Sequence, residues 1–325
     1  MKKITSYFVA VLALVLVAGS VQAQNDFSLA EQLYSRVAIN PAGTGNNANV
    51  NIFSLNRFQY AGMTGEGAPF TTLLNVHTYF EKAKSGLGFS FSYDNSGVAY
   101  TQMKATVSYA YHLNFGKGNL FSFGLGLGYA NKLFDPTRHV LEDDSERSDL
   151  GWGEEIEQGH YFDANFGIEY SNKYFLAGVS VTHIPGYFIK DPTTLNYLPN
   201  YYAYLRGYIP CGEKFKLSPA VMYYYTGNLP KTSSSEEMKN TLTASGAHVV
   251  DASLTGFIGK YFWVGLGYRT ETTTYAMFGV EWNWLRVGYA CDLNLGKLNN
   301  ISWTSHEVML SFSIPTKQQK EWDDE

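Results

Sequence analysis

Apolar residues alternate with small or polar residues along most of this chain. In the run 121–129, every odd-numbered residue is apolar and every even-numbered residue is serine or glycine. The run 104–113 alternates in the same way, with Ala110 as its one break. Successive side chains of a β-strand point to opposite faces, so each run predicts a strand with one apolar face. The link 114–119, which contains Gly and Asn, predicts a hairpin turn between the two strands.

The same pattern recurs from Val50 to Ile314 and predicts a set of antiparallel strands. We place fourteen of them, at 50–58, 71–80, 87–94, 98–113, 120–133, 161–170, 174–184, 201–209, 215–225, 249–258, 261–269, 274–282, 285–293 and 307–314. Some links between the runs are short, such as 81–86, and others are long, such as 134–160 and 226–248. Short periplasmic turns and long external loops are typical of outer-membrane barrels, and an even strand number puts both termini on the periplasmic side.

Each strand can be assigned an outward and an inward face. We expect lipid at Phe162, Ala164, Phe166, Ile168 and Tyr170, and the lumen at Asp163, Asn165, Gly167 and Glu169. A membrane offers no partner to unpaired backbone groups, so a sheet of this kind has to close on itself. The predicted fold is therefore an all-β, 14-stranded antiparallel transmembrane β-barrel. A soluble β-sandwich or propeller also alternates and is the other possibility, although few such proteins carry so little charge.

The N-terminus has the features of a cleaved signal peptide. Lys2 and Lys3 precede an apolar core at 7–18, and the small-x-small site 21–23 follows it. The apolar run is shorter than the ~20 residues that a spanning helix needs, which disfavours an uncleaved anchor. No later run of 18 apolar residues occurs, so the pattern excludes a helical membrane protein. The chain divides into a signal peptide (1–23), an N-terminal periplasmic segment (24–49), the barrel (50–314) and a charged tail (315–325).

Composition supports a membrane-embedded sheet and excludes some functions. The chain has 25 Tyr, 21 Phe and 6 Trp, and only 16% of its residues are charged. Tyr and Trp suit an interface that is apolar on one side and wet on the other. A formal net charge of −5 gives no support for nucleic-acid binding. The two cysteines, Cys211 and Cys291, are too few for a disulfide framework, and we expect both to be unpaired.

Several motifs, in order along the chain, resemble the PorP/SprF family of outer-membrane proteins of the type IX secretion system. The likeness covers residues 31–314. It is carried by Ile39-Asn40-Pro41-Ala42-Gly43, by Arg57, Gln59, Tyr60, Gly62, Gly67, Ala68, Pro69 and Thr71, by Ser108-Tyr109-Ala110-Tyr111-His112, by Arg286, Gly288, Tyr289 and Asp292, and by Ser305-His306-Glu307-Val308-Met309-Leu310-Ser311. The chain departs from the family where Cys291 replaces an aromatic residue and where it continues past the last strand from Pro315.

The resemblance implies a non-enzymatic barrel that works with the secretion machinery of Bacteroidota, which also serves gliding motility. Family members support the translocon and its periplasmic ring, with a peptidoglycan-binding lipoprotein, or hold a secreted surface protein. By the resemblance, the candidate partner-binding or structural residues are Asn40, Pro41, Arg57, Gln59, Gly62, Pro69, Arg286, Asp292, His306 and Glu307. We expect an outer-membrane location in contact with lipid, and no cofactor. The leading alternative is a porin-like solute channel.

Charged residues on the predicted inward face allow two interpretations. They are Lys104, Arg206, Arg269 and Arg286 together with Asp94, Asp163, Glu169, Asp251, Glu281, Asp292 and Glu307. A buried charge without a partner costs several kcal/mol, so a paired network that fills the lumen is the favoured interpretation. A channel lining that selects solutes is the alternative.

Other candidate sites are weaker. His160 lies near Asp163 in sequence, but no Ser/His/Asp or Cys/His arrangement accompanies them, so an outer-membrane hydrolase is the third and least favoured function. We expect His112 at a rim or turn. The acidic link 134–160 is expected to be a solvated loop, with a weak Ca²⁺ site as the alternative, and it lacks EF-hand spacing, so no metal is predicted. Residues 27–49 are expected to pack into the periplasmic mouth or to contact periplasmic partners.

Overall fold

The computed structural model describes residues 27–60, 68–97, 99–116, 118–138, 156–188, 198–227, 247–270, 273–295 and 304–316. Within them lie fourteen long strands, as the alternation predicts. They are β1 Val50–Phe58, β2 Phe70–Phe80, β3 Ser85–Asn95, β4 Tyr100–Asn114, β5 Leu120–Phe134, β6 Glu157–Ser171, β7 Phe175–Thr182, β8 Asn200–Gly207, β9 Phe215–Thr226, β10 Ala247–Ile258, β11 Phe262–Arg269, β12 Thr273–Trp282, β13 Leu285–Asn294 and β14 Thr304–Ile314. A two-residue strand, Ile209–Pro210, continues β8 along β9.

The strands form one closed antiparallel barrel. Each strand pairs with its neighbour in the chain, and β14 pairs with β1 from Val50↔Ile314 to Phe58↔His306. Because the sheet closes, the backbone N–H and C=O groups of the spanning strands form hydrogen bonds with one another, as a bilayer requires. The predicted fold class, a 14-stranded antiparallel barrel of the outer-membrane type, is confirmed.

Strand faces follow the predicted alternation. On β6, Phe162 is 61% exposed and Asp163 is fully buried, and on β5 the side chain of Leu125 is 57% exposed. Ala110 is fully buried on the lumenal face of β4, so it is a small inward residue rather than a break in the pattern. β7 ends two residues before the predicted position, because His183 adopts a φ of 58° and turns the chain out of the sheet.

The barrel has two different ends. At the short-turn end lie links such as the one between β2 and β3, and the start of β1 pairs with the end of β14 there. At the opposite, long-loop end, long links join β5 to β6 and β9 to β10. None of the helices in the described ranges is long and apolar enough to cross a membrane. The signal-peptide prediction falls on residues outside the described ranges.

Residues 27–49, which we call the N-terminal segment, lie inside the lumen. The segment makes three short 3-10 turns, Gln32–Tyr34, Arg36–Ala38 and Pro41–Gly43. Leu29 packs into an apolar cluster with Trp263 and Met309. Ile39 packs into a second cluster against β7–β10. The protein core therefore lies between the segment and the barrel wall.

The segment runs the length of the lumen. It joins β1 at the short-turn end, where Ala48 accepts a hydrogen bond from Thr316. Ser28, at its other end, accepts a hydrogen bond from Arg57, the penultimate residue of β1, in the long-loop half. The first described residues lie toward the long-loop end, and the end of β14 lies at the short-turn end. The periplasmic location of both termini stays a prediction.

Candidate functional site in the barrel lumen

Asn40 and Pro41 anchor the N-terminal segment near the short-turn end. The Asn40 Oδ1 accepts a hydrogen bond from the backbone of Ala42 at 2.9 Å, and Pro41 occupies the first helical position, so the pair starts the last 3-10 turn. The Asn40 Nδ2 donates to the carbonyl of Ile168 at 3.1 Å and to the hydroxyl of Tyr204 at 3.0 Å. One buried side chain thus shapes the segment and joins it to β6 and β8.

Glycines on the lumenal face of the wall allow the segment to approach closely. A Cβ added at Gly124 would overlap the backbone of Pro41 and Ala42, and one added at Gly86 would overlap the carbonyl of Thr44. At Gly126, one step further along β5, the nearest atom would be a side-chain carbon 3.1 Å away. Glycine in a strand interior often marks a place where another backbone comes close. Gly86 and Gly124 therefore form part of the docking surface for the segment.

An ion pair crosses the lumen to β6. The Arg36 guanidinium donates to both carboxylate oxygens of Glu169, from Nε at 2.7 Å and from Nη2 at 3.1 Å. The Tyr204 hydroxyl donates to the same carboxylate at 2.5 Å. Bidentate Arg–carboxylate pairs fix geometry as well as charge. The inward charge of Glu169 is therefore neutralised by the segment and not by another wall residue.

Two lumenal histidines hold the end of the segment. His77 on β2 accepts the backbone N–H of Gly45 on Nδ1 at 2.9 Å. The His112 Nε2 lies 2.9 Å from the carbonyl oxygen of Thr44, to which it donates, while Nδ1 lies 2.7 Å from the Ser122 hydroxyl. His112 lies two residues before the end of β4, next to the short turn at the rim, where the sequence analysis expected it. Its side chain is only 1% exposed, because the even-numbered residues of β4 point into the lumen, where the N-terminal segment covers them.

A second charged group, the Arg57 cluster, lies in the long-loop half of the lumen and consists of Arg57, Asp292 and Glu307. The Arg57 Nη2 lies 3.0 Å from Asp292 Oδ2, and its Nη1 lies 3.5 Å from Glu307 Oε1. Glu307 also accepts the backbone N–H of Ala30 on its two oxygens, at 3.1 and 3.0 Å. The same Arg57 donates to the carbonyl of Ser28. The cluster holds the start of the segment by its backbone.

Arg269 extends the Arg57 cluster around the wall. It lies 3.0 Å from Asp251 and 3.9 Å from Asp292, and the Tyr275 hydroxyl donates to Asp251 at 2.5 Å. These side chains are nearly fully buried. Removing one partner of such a buried pair typically costs 3–5 kcal/mol, because it leaves an uncompensated charge. Pairing of the inward charges, the favoured interpretation of the sequence, is observed for these residues.

Glu31 is the segment residue with the most unusual electrostatics. Its side chain is fully buried close to Gly288, and it lies outside the spanning strands. Burial raises the pKa of its carboxyl to about 9, and the nearby negative charge of Glu307 adds to this, while Arg286 acts in the opposite direction. The protonated form of Glu31 is therefore the one that the lumen favours at neutral pH.

The structure divides the ten residues implied by the resemblance among different places. Arg57, Asp292 and Glu307 meet in one cluster, and Asn40 and Pro41 lie at the opposite end of the segment. Of the others, Arg286 lies 2.6 Å from Glu281 in a half-buried pair, and the backbone N–H of Gln59 donates to the carbonyl of Pro69 at 3.0 Å. His306 is on the outward face, and Gly62 lies outside the described ranges.

The sequence analysis did not identify the residues of the N-terminal segment that contact the barrel wall. Glu169 and Glu307 were expected to face inward, but Arg36 and the backbone of Ala30 were not recognised as their partners. The segment has no alternation from which a face could be assigned. The available signal was the unusual number of inward glycines on β5, where Gly124, Gly126 and Gly128 leave room for a second chain.

The described residues bring no catalytic set together around the sequence candidates. His160 points outward to Tyr129, whereas Asp163 points inward and lies 2.9 Å from His183 Nδ1. Cys211 and Cys291 are both unpaired, as predicted. In the described ranges no group of His, Cys, Asp or Glu is arranged to hold a metal ion. The acidic part of the 134–160 link falls at 139–155, outside those ranges.

Known structures with the same fold are outer-membrane barrels. The toluene transporter TbuX of Ralstonia pickettii is 9% identical, with 86% of this chain and 93% of that chain covered and a TM-score of 0.50. The toluene transporter TodX of Pseudomonas putida is 9% identical over 89% and 94% of the two chains, with a TM-score of 0.49. The outer membrane protein Omp33 of Acinetobacter baumannii is 8% identical over 83% and 100%, with a TM-score of 0.44. At these identities the likeness concerns the fold alone.

The sequence itself identifies the family. Among proteins with curated functions, none matches this sequence. A family model described as "Type IX secretion system membrane protein PorP/SprF" matches residues 21–312, which span the N-terminal segment and nearly all of the barrel. The chain therefore belongs to the PorP/SprF family of type IX secretion system membrane proteins.

Proposed function

We propose that this barrel is a non-enzymatic, partner-binding component of the type IX secretion system, which supports protein export or the surface attachment of secreted substrates. Family membership and an outer-membrane barrel fold support the proposal. The observation that carries it is the filling of the lumen by the chain's own N-terminal segment. A barrel that is filled by its own chain offers its two ends, and not a wide pore, to other molecules.

Contacts on opposing walls argue against a wide solute pathway. The carbonyl of Leu33 accepts a hydrogen bond from Arg206 on β8 at 3.2 Å, and the Ser35 hydroxyl accepts one from Asn75 on β2 at 2.8 Å. Arg36 is paired with Glu169 on β6. Conduction of solutes would require these contacts to break. The porin-like channel is therefore the second candidate function, and the barrel fold alone supports it.

The short-turn end offers a recess where a periplasmic partner can bind. A cavity of about 270 Å³ lies between the segment and strands β1, β2 and β12–β14. Asn46, Asn47 and Asn51 line it on one side, and the half-buried pair of Arg286 with Glu281 lines the other. Amide and charged groups of this kind suit the polar rim of a protein interface. We assign the periplasmic ring or the peptidoglycan-binding lipoprotein to this end and secreted surface proteins to the long-loop end.

The proposed domain layout follows the sequence prediction. We propose that residues 1–23 are removed as a signal peptide, that the next segment occupies the lumen over its described residues 27–49, and that 315–325 form a charged tail that begins at the short-turn rim. In this orientation the first described residues lie toward the outer end of the lumen, and Ile314 lies at the periplasmic end.

An affinity experiment tests the proposal. The tagged barrel is purified from detergent-solubilised outer membranes after crosslinking, together with an Arg286→Ala variant and a Phe115→Ala variant as an exposed-surface control. We expect type IX ring proteins, a peptidoglycan-binding protein or one large surface protein to co-purify, and Arg286→Ala to reduce the periplasmic ones selectively. A barrel that purifies alone and conducts ions in a planar bilayer would establish the channel instead.

A further inference from the structure

A second cavity at the short-turn end is lined by lysines. It has a volume of about 410 Å³ and lies between the turn that follows β8 and the turn that joins β10 to β11. Lys214, Lys216 and Lys260 line it, and all three are exposed. We call it the lysine recess. Glu281 lines both this recess and the 270 Å³ cavity beside Asn47, which we call the amide recess, so the two recesses adjoin.

The lysine recess has an excess of positive charge. In the described ranges, no carboxylate forms an ion pair with any of its three lysines. Lys216 instead lies over an aromatic ring, with its Nζ 4.5 Å from the ring centre of Phe257. Of the two carboxylates that line the recess, Glu281 is paired with Arg286 at 2.6 Å. Glu213 alone is therefore left to balance three ammonium groups, so the recess suits an anionic ligand.

The charged tail of the chain begins at the same mouth of the barrel. Thr316 is the last described residue, and its hydroxyl donates a hydrogen bond to the carbonyl of Ala48, a buried residue of the N-terminal segment. This bond places Thr316 on the lumenal side of the rim. Asn47, which precedes Ala48, and Ser313 both line the amide recess. Residues 317–325 therefore follow from the edge of the amide recess, which adjoins the lysine recess.

The tail has its negative charge at the right distance from the rim. Lys317 and Lys320 come first, and four carboxylates follow within 321–325, which we call the acidic run. The strands β9–β11 lie three to five strands from β14, which is ~15–25 Å at about 4.8 Å per strand. An extended chain covers ~3.3 Å per residue, so the acidic run reaches ~17–30 Å from Thr316. The acidic run, and not the two lysines before it, therefore spans the distance to the lysine recess.

We propose that the acidic run of the tail binds in the lysine recess and that the tail covers the amide recess on its way. A group joined to its binding site by a short linker has an effective concentration in the millimolar range, so contacts that are individually weak at an exposed site suffice. An acidic segment of another protein has no such advantage. The docking involves this chain alone and does not depend on the proposed secretion role. Its consequence, that a periplasmic partner has to displace the tail, does rest on that role.

Disulfide trapping in the detergent-solubilised full chain tests the docking. Cys211 is exposed in the turn before Lys214 and supplies one thiol, Cys291→Ser removes the other native thiol, and Trp322→Cys adds a thiol within the acidic run. The rate of intramolecular crosslinking under mild oxidation is measured by mass spectrometry of the monomer. We expect it to be about ten-fold faster at low salt than in a variant with all three recess lysines replaced by Gln, because several exposed ion pairs act together. High salt should remove the difference, because it screens exposed charges.

Two further variants separate docking from a general effect of charge. K317Q/K320Q removes the lysines of the tail itself and should not slow the crosslinking. K214E/K216E/K260E should slow it, and the addition of E321K/D323K/E325K to the same chain should restore it, because the charges are then exchanged between tail and recess. A heat-dependent gel shift confirms that each barrel is folded. The proposal is overturned if the Gln variant of the recess crosslinks as fast as its parent, or if the exchange of charges does not restore the rate.

Discussion

Replacing Gly124 by alanine should release the N-terminal segment from the lumen while leaving the barrel closed. The added methyl group would overlap the backbone of Pro41 and Ala42. Backbone atoms cannot rotate away as the end of a flexible side chain can, so either β5 or the segment has to move. β5 is hydrogen-bonded along its length to β4 and β6, whereas the segment is held by a small number of side chains. The segment is therefore expected to move.

The size of the effect follows from the cost of overpacking. Inserting a methyl group into a tightly packed interior typically costs ~1–3 kcal/mol. Since each 1.4 kcal/mol is a factor of ten in an equilibrium constant, the undocked population should rise about 5- to 140-fold. Gly126→Ala is the matched control on the same strand and the same face. Its added methyl group would meet side-chain atoms of Thr106 and Asn165 at 3.1 and 3.3 Å, which can shift by a few tenths of an ångström.

Limited trypsin digestion measures the release directly. Arg36 is a potential trypsin site that is shielded inside the lumen and paired with Glu169. Cleavage after Arg36 should be slow in the wild type and in Gly126→Ala and faster in Gly124→Ala, with a heat-dependent gel shift to confirm an intact barrel. Equal cleavage rates for Gly124→Ala and the wild type would refute the close approach, as would an equal acceleration by Gly126→Ala.

Three further substitutions test the charges and the outward face. Arg57→Ala should destabilise the folded barrel by ~3–5 kcal/mol, because it removes the nearest cation from the buried carboxylates of Asp292 and Glu307. Urea unfolding in lipid, with Arg57→Lys for comparison, measures the loss. Glu31 has a folded-state pKa raised to about 9, so its stabilising effect on docking is complete below its ordinary pKa and is lost as pH rises toward 9. Between pH 5 and 8 the docking free energy of the wild-type segment should weaken by up to about 1.4 kcal/mol per pH unit, so cleavage should become faster. Glu31→Gln should show no such trend once trypsin rates are normalised to a free peptide. Leu125→Arg should cost ~2–4 kcal/mol at mid-membrane, and Phe115→Arg in an exposed turn should cost little; equal tolerance would contradict the outward face of β5.

Alternation in the sequence identifies the part of each strand that meets lipid. The boundaries of β1 agree with the prediction at both ends. β6 begins at Glu157, four residues before the predicted position, because its first residues are polar or small while their backbone still pairs with β5, as in Phe134↔Glu157. Backbone pairing continues beyond the apolar band, where the hydrophobic pattern of the sequence does not reveal it. Strand number and face were therefore predictable, whereas a strand end with polar or small residues, such as the start of β6, was not.

Sequence patterns could not predict the contacts of the N-terminal segment. Arg36 and Glu169 are 133 residues apart, and the segment has no period that could set a register against the wall. The inward carboxylates were recognisable as charges that need partners, since a buried charge is costly when unpaired. Their partners come from a stretch of short 3-10 turns, in which each contact depends on the whole closed barrel. Sequence reasoning thus predicted the need for compensation but not the chain segment that provides it.

The lumenal surface of β5 shows how the wall and the segment depend on each other. An alternating strand with glycine on its inward face is also compatible with a water-filled pore, and the sequence alone does not separate the two interpretations. Gly124 contacts the backbone of the segment, while Gly126 contacts neighbouring side chains, so identical residues on one face have different surroundings. Asn40, which caps the turn at Pro41 and bonds to β6, sets the position at which the close contact with Gly124 occurs. A filled lumen therefore requires both the small wall residues and a capped segment, and the loss of either should open the same space.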